Sequence, residues 1–342
     1  MNTITKSNKS NQQSIYMYSN SVKVSVIVPI YNVEPFIERC VRSLMNQTLE
    51  NIEYIFVNDC TPDNSINILK SILKEYPDKN VRIIHHSQNK GLAAARKTGL
   101  NQAKGKYIVH CDSDDWVDAN MYKYMLEIAE QNNADIVACG FKTETPNTTC
   151  EVQYPYKTET IDNILDPNKI GWIYGAVWNK MILKDLYIRN NISPIEGINM
   201  WEDSLITIPL RLNSSKTVII PNTFYHYWIG QRASTFFSSN NLNKVNEMIQ
   251  ATKILEDYLS HNFSNYNIKP FISKLKLICK ERLMSTPNHD TFIQWRNTYP
   301  DNDLSVWQFK SYSLTTKIKI SLIHLLPKYL AYPIFCLRRN KK

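Results

Sequence analysis

Residues 107–116 read YIVHCDSDDW: an apolar run is followed at once by three carboxylates, those of Asp112, Asp114 and Asp115. Carboxylates that crowd at the end of a buried strand repel one another, and they stay ionised together only when a cation joins them. A hard divalent ion held by one or two carboxylates, with phosphate oxygens completing its shell, is the usual chemistry of such a site. The stretch therefore predicts an enzyme that handles a diphosphate through a metal.

The segments around this stretch alternate between apolar strands and amphipathic helices. Strands are predicted at residues 22–30, 52–57, 81–84, 107–109 and from 136, and helices at 34–47, 64–76, 92–103 and 118–131. Each strand is almost wholly apolar, which indicates a mostly parallel sheet covered on both faces. In such sheets ligands bind beyond the carboxyl ends of the strands. The polar residues fall at those ends: Tyr31-Asn32, Asn58-Asp59, His85–Asn89 and Asp112–Asp115.

The composition narrows the class of protein. The chain has 342 residues, of which 43% are hydrophobic and 21% charged, as in ordinary globular proteins. Its formal net charge of +9 favours anionic partners: nucleic acid, anionic lipid or phosphorylated substrates. Seven scattered cysteines without metal-ligand spacing predict reduced thiols in a cytosolic protein. No apolar run reaches the length of a transmembrane helix.

The two commonest nucleotide-binding loops are missing. No GxGxxG follows the first strand, and no GxxxxGK[ST] occurs anywhere in the chain. A dinucleotide-binding Rossmann enzyme and a P-loop NTPase are therefore disfavoured. A nucleic-acid-binding protein is disfavoured too, because the carboxylates at the mouth of the predicted sheet repel phosphates unless a metal is present.

Four motifs, in this order, resemble those of family 2 glycosyltransferases: VIVPIYN (26–32), VNDCTPD (57–63), NKGLAAAR (89–96) and DSDD (112–115). The resemblance is good over residues 22–140 and continues more weakly through WNK (178–180), WED (201–203) and YHY with RAS (225–234). It implies an inverting enzyme of GT-A fold, an α/β, Rossmann-like, mostly parallel sheet flanked by helices. It also implies a nucleotide-diphosphate sugar, most simply a UDP-sugar, as donor.

With this resemblance the chain divides into three predicted parts. Residues 1–20 are polar, lack an apolar core and are predicted to be a disordered leader. Residues 21–240 would form the GT-A domain, and residues 241–342 a helical C-terminal region with a basic amphipathic tail. Within the domain, residues 21–141 would be the nucleotide-binding half and residues 171–240 the acceptor half. The polar residues 142–170 are predicted to be a linker or variable loop.

The resemblance implies a nucleotide site. Tyr31 would stack on uracil and Asp59 would accept its ring N–H, while a simple strand-to-helix turn is the alternative reading of Tyr31-Asn32. Arg96 would reach the diphosphate or the acidic cluster, because a guanidinium suits either. The residues implied to contact the nucleotide are Pro29, Tyr31, Asn32, Asp59, Asn89, Gly91, Arg96, Asp112 and Ser113.

A metal site and a base are implied as well. Asp114 would bind Mn²⁺ or Mg²⁺ directly, and Asp112 would face the ribose and the metal shell. Inversion needs one base to take the proton from the acceptor hydroxyl as it attacks the anomeric carbon. Asp203 is the predicted base and Glu202 the alternative; both would also suit the start of a helix, where acids interact favourably with the helix dipole.

Further side chains are assigned to the acceptor, the metal and the diphosphate. Trp178, Trp201 and Tyr227 are predicted to form an acceptor wall, because sugars stack their apolar faces on aromatic rings; core packing is the alternative for each. His226 would make a further metal or diphosphate contact, or simply be packed. Arg232 and Ser234 would contact the diphosphate.

The last residues, 317–342, alternate basic and apolar side chains, and Pro327 and Pro333 interrupt any long helix. This pattern is typical of a segment that lies on an anionic membrane surface. A helical flap packed on the enzyme is the alternative.

Resemblance and tail together imply a bacterial hexosyl- or N-acetylhexosaminyltransferase, peripheral at the cytoplasmic face of the cell membrane. Its acceptor would be a lipid-linked glycan in capsule, exopolysaccharide or O-antigen synthesis. One alternative is a nucleotidyltransferase that makes the sugar nucleotide; its Gly-rich signature with a lysine near the first strand is absent. The other is a catalytically inactive sugar-nucleotide-binding protein.

Overall fold

The computed structural model describes residues 21–170, 175–230 and 242–337. The predicted leader at residues 1–20 therefore lies outside the described ranges. Nine strands within these ranges form one sheet. In chain order they are β1 (Val24–Ile30), β2 (Ile52–Asn58), β3 (Val81–His85), β4 (Tyr107–His110), β5 (Trp116–Val117), β6 (Ile136–Glu144), β7 (Thr149–Val152), β8 (Lys180–Leu183) and β9 (Thr217–Trp228).

Helices cover the sheet and continue beyond its last strand. Those before β9 are α1 (Ile37–Met45), α2 (Ser65–Leu73), α3 (Leu92–Gln102), α4 (Met121–Asn132), α5 (Ile161–Ile164), α6 (Lys184–Arg189) and α7 (Glu202–Leu212). Those after it are α8 (Leu242–Asn262), α9 (Lys269–Leu283), α10 (His289–Asn297), a 3₁₀ helix (Pro300–Gln308), α11 (Leu314–Leu325) and α12 (Lys328–Cys336). The strands and helices predicted before residue 136 all form, with ends displaced by a few residues at most.

The sheet combines a parallel half with a mixed half. β1 pairs in parallel with β2 and β4, and β2 with β3. β8 then runs antiparallel to β4 and β6, whereas β6 and β9 are parallel. The strand order is β3-β2-β1-β4-β8-β6-β9-β5, with β7 paired to β6. This α/β sheet with flanking and C-terminal helices confirms the predicted GT-A fold class.

The segment at residues 142–170 is more ordered than the predicted linker. β6 continues to Glu144 and the chain returns as β7, so that Phe141 lies opposite Val152. The short helix α5 follows. β7 exposes most of its side chains and therefore lacks the apolar alternation that marks a half-buried strand.

Two hydrophobic clusters enclose the parallel strands, because β1 is buried along its whole length and alternate side chains point to opposite faces. On one face Phe56 of β2 packs with Leu44 of α1. On the other, Ile55 packs with Ala95 of α3 and Ile206 of α7. Packing against one face of one sheet therefore brings together α3 and α7, which are far apart in sequence.

The C-terminal helices add two further clusters. Ile208 of α7 packs with Leu255 of α8 and Phe271 of α9, which attaches the helices to the sheet region. Farther along, Ile320 of α11 and Phe335 of α12 are fully buried in a second cluster. The segment up to residue 337 thus packs on the protein, as in the flap alternative. Within the described ranges, no helix combines the length and apolarity needed to cross a membrane.

Candidate active site

Three segments converge at the carboxyl ends of the parallel strands. The DSDD segment follows β4, α3 begins after Gly91, and α7 begins with Glu202 and Asp203. Arg96 of α3 lies between the other two and is only 2% exposed. Its guanidinium donates to Asp112 Oδ1 at 2.7 Å and to Glu202 Oε1 at 2.5 Å. One buried arginine therefore joins the acidic segment after β4 to the acidic pair at the start of α7.

Burial and nearby charges shift the pKa values of Glu202, Asp203 and Arg96. Burial raises the pKa of Glu202 to about 8, although the Arg96 guanidinium opposes the shift. Burial also raises the pKa of Asp203, and Arg96 opposes that shift as well. For Arg96, burial acts against the charge, but Asp112 and Glu202 outweigh it and raise its pKa. Both carboxyls therefore release their protons at a higher pH than isolated carboxyls.

A cavity of about 400 Å³ opens beside these groups. Arg96, Asp112, Glu202 and Asp203 line it. Asp203 is half-buried, and one of its oxygens accepts the N–H of Ser204 at 2.8 Å, which fixes the carboxylate at the start of the helix. Glu202 is buried against Arg96, whereas Asp203 keeps part of its surface accessible. Of the two, Asp203 is the better placed to meet an acceptor.

The three predicted acceptor aromatics differ in their surroundings, although all three line the cavity. Trp178 is buried: its ring stacks on Tyr225 and Tyr227, with centroids 4.3 and 5.5 Å apart. Tyr227 and Trp201 are half-buried. Tyr227 and Trp201 thus keep surface that a sugar could contact, while Trp178 mainly supports Tyr227.

The DSDD segment divides its carboxylates between two tasks. Asp115 is fully buried and accepts hydrogen bonds from the Tyr225 hydroxyl at 2.7 Å and the Trp228 N–H at 2.9 Å. Burial raises the pKa of Asp115 well above its usual range. Asp115 thus anchors the segment to β9, while Ser113 is buried and Asp112 and Asp114 are half-buried.

Asp112 and Asp114 fit a divalent ion that is also bound by the oxygens of a diphosphate. In the three described ranges, no group of three His, Cys, Asp or Glu side chains is arranged to hold a metal ion. An Mg²⁺-type site at a nucleotide needs only one or two carboxylates, because substrate phosphates and water supply the other ligands. Asp112 and Asp114 can be those carboxylates, since both keep accessible surface.

The residues assigned to the base pocket lie at the carboxyl ends of β1 and β2. Tyr31 is 46% exposed, so part of its side chain is accessible to a ligand. Pro29 lies within buried β1, and Asn32, with a φ of 53°, turns the chain out of the strand. The alternative reading of Tyr31-Asn32 as a turn and the assignment to the nucleotide are thus compatible.

Asp59 supports the neighbouring loop rather than standing open to solvent. It is buried, and its carboxylate accepts the backbone N–H groups of Lys90 at 2.9 Å and Gly91 at 2.8 Å. His86 Nδ1 lies 2.7 Å from the same carboxylate. Gly91 has a φ of 90°, a conformation that favours glycine. Asp59 therefore shapes the start of α3, and exposed Asn89 lies on the same loop.

Several contributors to the site were missed by the sequence analysis. His86 bridges Asp59 to Thr98 at 2.7 and 2.9 Å. Arg39 of α1 donates to the Asp114 carbonyl at 3.1 Å, and its guanidinium lies 3.6 Å from the centre of the Trp116 ring. Arg39 carries no motif signal, because it is one basic residue on an amphipathic helix. His86 had a weak signal in the sequence, because it is a polar residue just beyond the end of a strand.

His226 and Lys180 are occupied by protein partners. The two ring nitrogens of His226 lie 2.7 Å from Glu144 and 3.0 Å from Asp118, and the ring stacks on Trp116. This matches the packed alternative for His226. Lys180 of the WNK motif is buried and donates to the Ala176 carbonyl at 2.5 Å; burial lowers its pKa to about 7. Arg232 and Ser234 lie outside the described residues.

Replacing Arg96 by methionine should destabilise the fold by about 3–5 kcal/mol, because Asp112 and the buried Glu202 both lose the guanidinium that they contact. Urea unfolding of the purified variant measures this change. Adding Glu202→Gln should recover part of the loss, since the buried ionisable group that lost its partner is then removed. Lys97→Met is the matched control: Lys97 is the next residue, and its ion pair with Glu196 is exposed, so the expected change is below about 1 kcal/mol. Equal effects of the two methionine variants would contradict the assignment.

Fold and site together define an α/β domain of GT-A type, with carboxylates and one buried arginine at the mouth of its parallel strands. The family model "Glycosyl transferase family 2" matches residues 25–185. The chain therefore carries a domain of glycosyl transferase family 2, as its four motifs predicted.

Curated relatives agree with this family. The uncharacterized glycosyltransferase EpsJ of Bacillus subtilis (strain 168) is 37% identical over 211 residues, which are 60% of this chain and 60% of EpsJ. The minor teichoic acid biosynthesis protein GgaB of the same organism is 29% identical over 304 residues, 82% of this chain and 33% of GgaB. The match thus spans less than two thirds of the length of each of these relatives.

Solved structures show the same fold. S. aureus TarS in complex with UDP has a TM-score of 0.66 at 18% identity, covering 92% of this chain and 89% of the TarS chain. The mannosyltransferase PcManGT from Pyrobaculum calidifontis, in complex with GDP-Man and Mn²⁺, has a TM-score of 0.50 at 15% identity, covering 92% and 83%. The fold similarity extends over the C-terminal helices as well as the family domain.

Proposed function

We propose that this chain is an inverting glycosyltransferase that moves a hexosyl or N-acetylhexosaminyl group from a UDP-sugar to a glycan hydroxyl. The observation that carries the proposal is the buried Arg96 link between Asp112 and Glu202, with Asp203 beside it in the cavity. This link joins the carboxylates assigned to the metal and the diphosphate to the acidic pair that contains the candidate base. A binding protein without catalysis would have no need for Asp203 in the cavity wall.

Asp203 acts as the base in this proposal. It takes the proton from the acceptor hydroxyl as the oxygen attacks the anomeric carbon from the face opposite the leaving diphosphate. The Ser204 N–H orients its carboxylate, and its raised pKa makes it a stronger base than an ordinary aspartate. Glu202 accepts a hydrogen bond from Arg96 and so holds the guanidinium in place.

Asp114 and Asp112 hold the divalent ion, Mn²⁺ or Mg²⁺. When bound, such an ion neutralises charge on the diphosphate leaving group. The protein's part is to hold the two carboxylates at one edge of the sheet, which it does through the anchored Asp115 and through Arg96. The complex of PcManGT with GDP-Man and Mn²⁺ supports this choice of ions.

The remaining nucleotide contacts belong to residues on the parallel half of the sheet. Tyr31 stacks on the base, Asp59 and Gly91 shape the pocket, and Asn89 and Ser113 contribute polar groups. A TarS structure in complex with UDP-GlcNAc supports a uridine nucleotide and an N-acetylhexosamine as first candidates. Tyr227 and Trp201 contact the acceptor sugar, with Trp178 behind Tyr227.

The acceptor in this proposal is a lipid-linked glycan of capsule, exopolysaccharide, O-antigen or teichoic acid synthesis, and the protein is peripheral at the cytoplasmic face of the membrane. The similarity to GgaB, a minor teichoic acid biosynthesis protein, supports cell-surface polymer synthesis. We also propose the division into a GT-A domain at residues 21–240, with halves 21–141 and 171–240, and a helical region at residues 241–342.

A donor screen tests the proposed activity. The purified chain is incubated with a panel of UDP-, GDP- and dTDP-sugars, with Mn²⁺ or Mg²⁺, and with glycan acceptors of a cell-surface polymer pathway. Release of nucleoside diphosphate with one sugar donor is the expected result. Release of pyrophosphate from a nucleoside triphosphate and a sugar phosphate would instead identify a nucleotidyltransferase.

Tyr31→Ala should raise the KM for the UDP-sugar roughly 3- to 10-fold, because a stacked aromatic contributes about 0.5–1.5 kcal/mol. Turnover at saturating donor should change little, since Tyr31 is distant from the transferred sugar in this assignment. Tyr31→Phe is the matched control, because it keeps the ring, and its KM should stay within about twofold of the parent value. An unchanged KM in Tyr31→Ala would assign Tyr31 to the turn alone.

A further inference from the structure

One face of α11 is apolar and exposed although the helix is packed on the protein. Leu314, Ile318, Leu322 and Leu325 recur at helical spacing and are all exposed, with Leu314 at 63% and Leu325 at 68%. The opposite side of the same helix is buried through Ile320 and Ile323. The helix therefore has two apolar faces, and packing on the protein accounts for only one of them.

Two exposed aromatic side chains lie on or next to this helix. Trp307 is 49% exposed, and its indole N–H donates to Ser321 Oγ at 2.9 Å, which holds the ring against α11. Tyr329, the second residue of α12, is 75% exposed. We call Trp307, Leu314, Ile318, Leu322, Leu325 and Tyr329 the apolar face. Tryptophan and tyrosine are the residues enriched where a protein surface meets lipid headgroups.

Basic residues border the apolar face. Lys317 and Lys319 lie on α11 on either side of the leucine row, and Lys328 begins α12. No Asp or Glu follows Asp303 in the sequence, whereas Lys and Arg recur from Lys310 onwards. Asp303 is itself buried and paired with Lys280 and His324. The surface is thus apolar at its centre and positive at its edges.

We propose that the apolar face is the docking surface through which this chain lies on an anionic lipid membrane. The leucine row enters the boundary between headgroups and acyl chains, while the lysines keep their charges at the headgroup level, as in interfacial amphipathic helices. The charge pattern selects this partner, because positive edges match anionic phospholipids. The inference gives a location to the membrane association in the proposed function, but it does not depend on the proposed chemistry.

Packing of the tail decides how the proposal can be tested. Ile320 and Phe335 are buried in a core cluster with Trp295. Deleting residues 317–342 would therefore remove core side chains and destabilise the C-terminal helices. Single substitutions on the apolar face leave that core intact, so the full chain carrying point changes is the suitable material.

The experiment is co-sedimentation of the full chain with vesicles of phosphatidylglycerol and phosphatidylcholine, compared with phosphatidylcholine alone. The parent protein should bind the anionic vesicles, and Leu325→Glu should lower that binding about tenfold or more. Ile188→Glu is the matched control: Ile188 of α6 is 66% exposed, and the substitution adds the same charge elsewhere. Its binding should equal that of the parent. Lys317→Gln should weaken binding at low salt and have less effect at high salt.

Thermal unfolding of each variant checks that the fold is kept, as expected for exposed positions. Equal binding by the parent, Leu325→Glu and Ile188→Glu would overturn the proposal. So would a parent protein that ignores anionic vesicles but forms dimers that Leu325→Glu abolishes, since the face would then bind a second copy. Donor turnover on a water-soluble acceptor should be the same for Leu325→Glu and parent. A protein that transfers sugar but does not bind anionic vesicles would contradict this proposal alone. A protein that binds the vesicles but transfers no sugar would contradict only the proposed function.

Discussion

Asp203→Asn is expected to lower turnover by roughly 10²- to 10⁴-fold, the usual contribution of a positioned general base. The amide has the shape of the carboxylate, and its oxygen can still accept the Ser204 N–H that now contacts Asp203 at 2.8 Å. It cannot accept a proton at neutral pH. Turnover is measured by nucleoside diphosphate release, and UDP affinity by calorimetry should change little, because the substitution leaves Arg96 and Asp112 in place.

Glu202→Gln is the matched comparison for this variant, since it makes the same chemical change at the next residue. Its carboxylate pairs with Arg96, so the expected effect is a smaller loss of turnover accompanied by a loss of stability. A dead Glu202→Gln beside an active Asp203→Asn would move the base to Glu202.

The pH dependence supplies an independent readout for the same residue. Burial raises the pKa of Asp203 above the usual aspartate range. The reactive form of a base is the deprotonated one, so turnover should fall as the pH is lowered through this raised pKa. The acid limb of the profile should therefore lie at a higher pH than the pKa of an ordinary carboxylate, which is about 4. In Asp203→Asn the residual turnover should lose the limb that belongs to Asp203.

Removing divalent cations is the second change with a large expected effect: transfer should stop in excess chelator and return on addition of Mn²⁺ or Mg²⁺. The reason is that Asp112, Asp114 and a diphosphate bring several negative charges to one edge of the sheet, and only a cation lets them meet. Asp114→Ala should weaken the binding of UDP with Mn²⁺, measured by calorimetry, while the unfolding curve stays close to that of the parent.

Asp185→Ala is the matched control for Asp114→Ala. Asp185 is an exposed carboxylate on α6, paired with Arg189 on the same helix. Its loss should change neither the affinity for UDP with Mn²⁺ nor turnover. Full activity in excess chelator would overturn the metal assignment, whatever the variants do.

The local pattern of apolar residues was sufficient to predict the first half of the fold. Strands such as β1 are almost wholly apolar because both faces of the parallel sheet are covered, and that signal is present in the order of the residues themselves. The four motifs follow strand ends, and parallel strands bring their carboxyl ends to one edge. Clustering of Tyr31, Asp59 and Asp112 at one edge of the sheet could therefore be predicted from the residue order alone.

The resemblance implied separate roles for Asp112 and Asp114, but the contacts that hold each carboxylate could not be predicted. Asp112, Asp114 and Asp115 have the same side chain, yet only Asp115 is sealed against Tyr225 and Trp228 of β9. That difference arises from a strand more than a hundred residues away. Glu202 and Asp203 are likewise adjacent and similar, and contact with Arg96 distinguishes them. Residue order carries no direct record of such contacts.

In the C-terminal segment, too, the sequence determined some properties and the tertiary structure decided another. Its sequence established that basic and apolar residues alternate without a span long enough to cross a bilayer, because composition and spacing are local properties. It left open whether the segment packs on the protein or remains exposed. Tertiary structure decided that question by burying Ile320 and Ile323 while leaving Leu314 and Leu325 in solvent. Which side of an amphipathic helix is covered depends on the neighbours that the fold brings to it, and only the assembled chain supplies them.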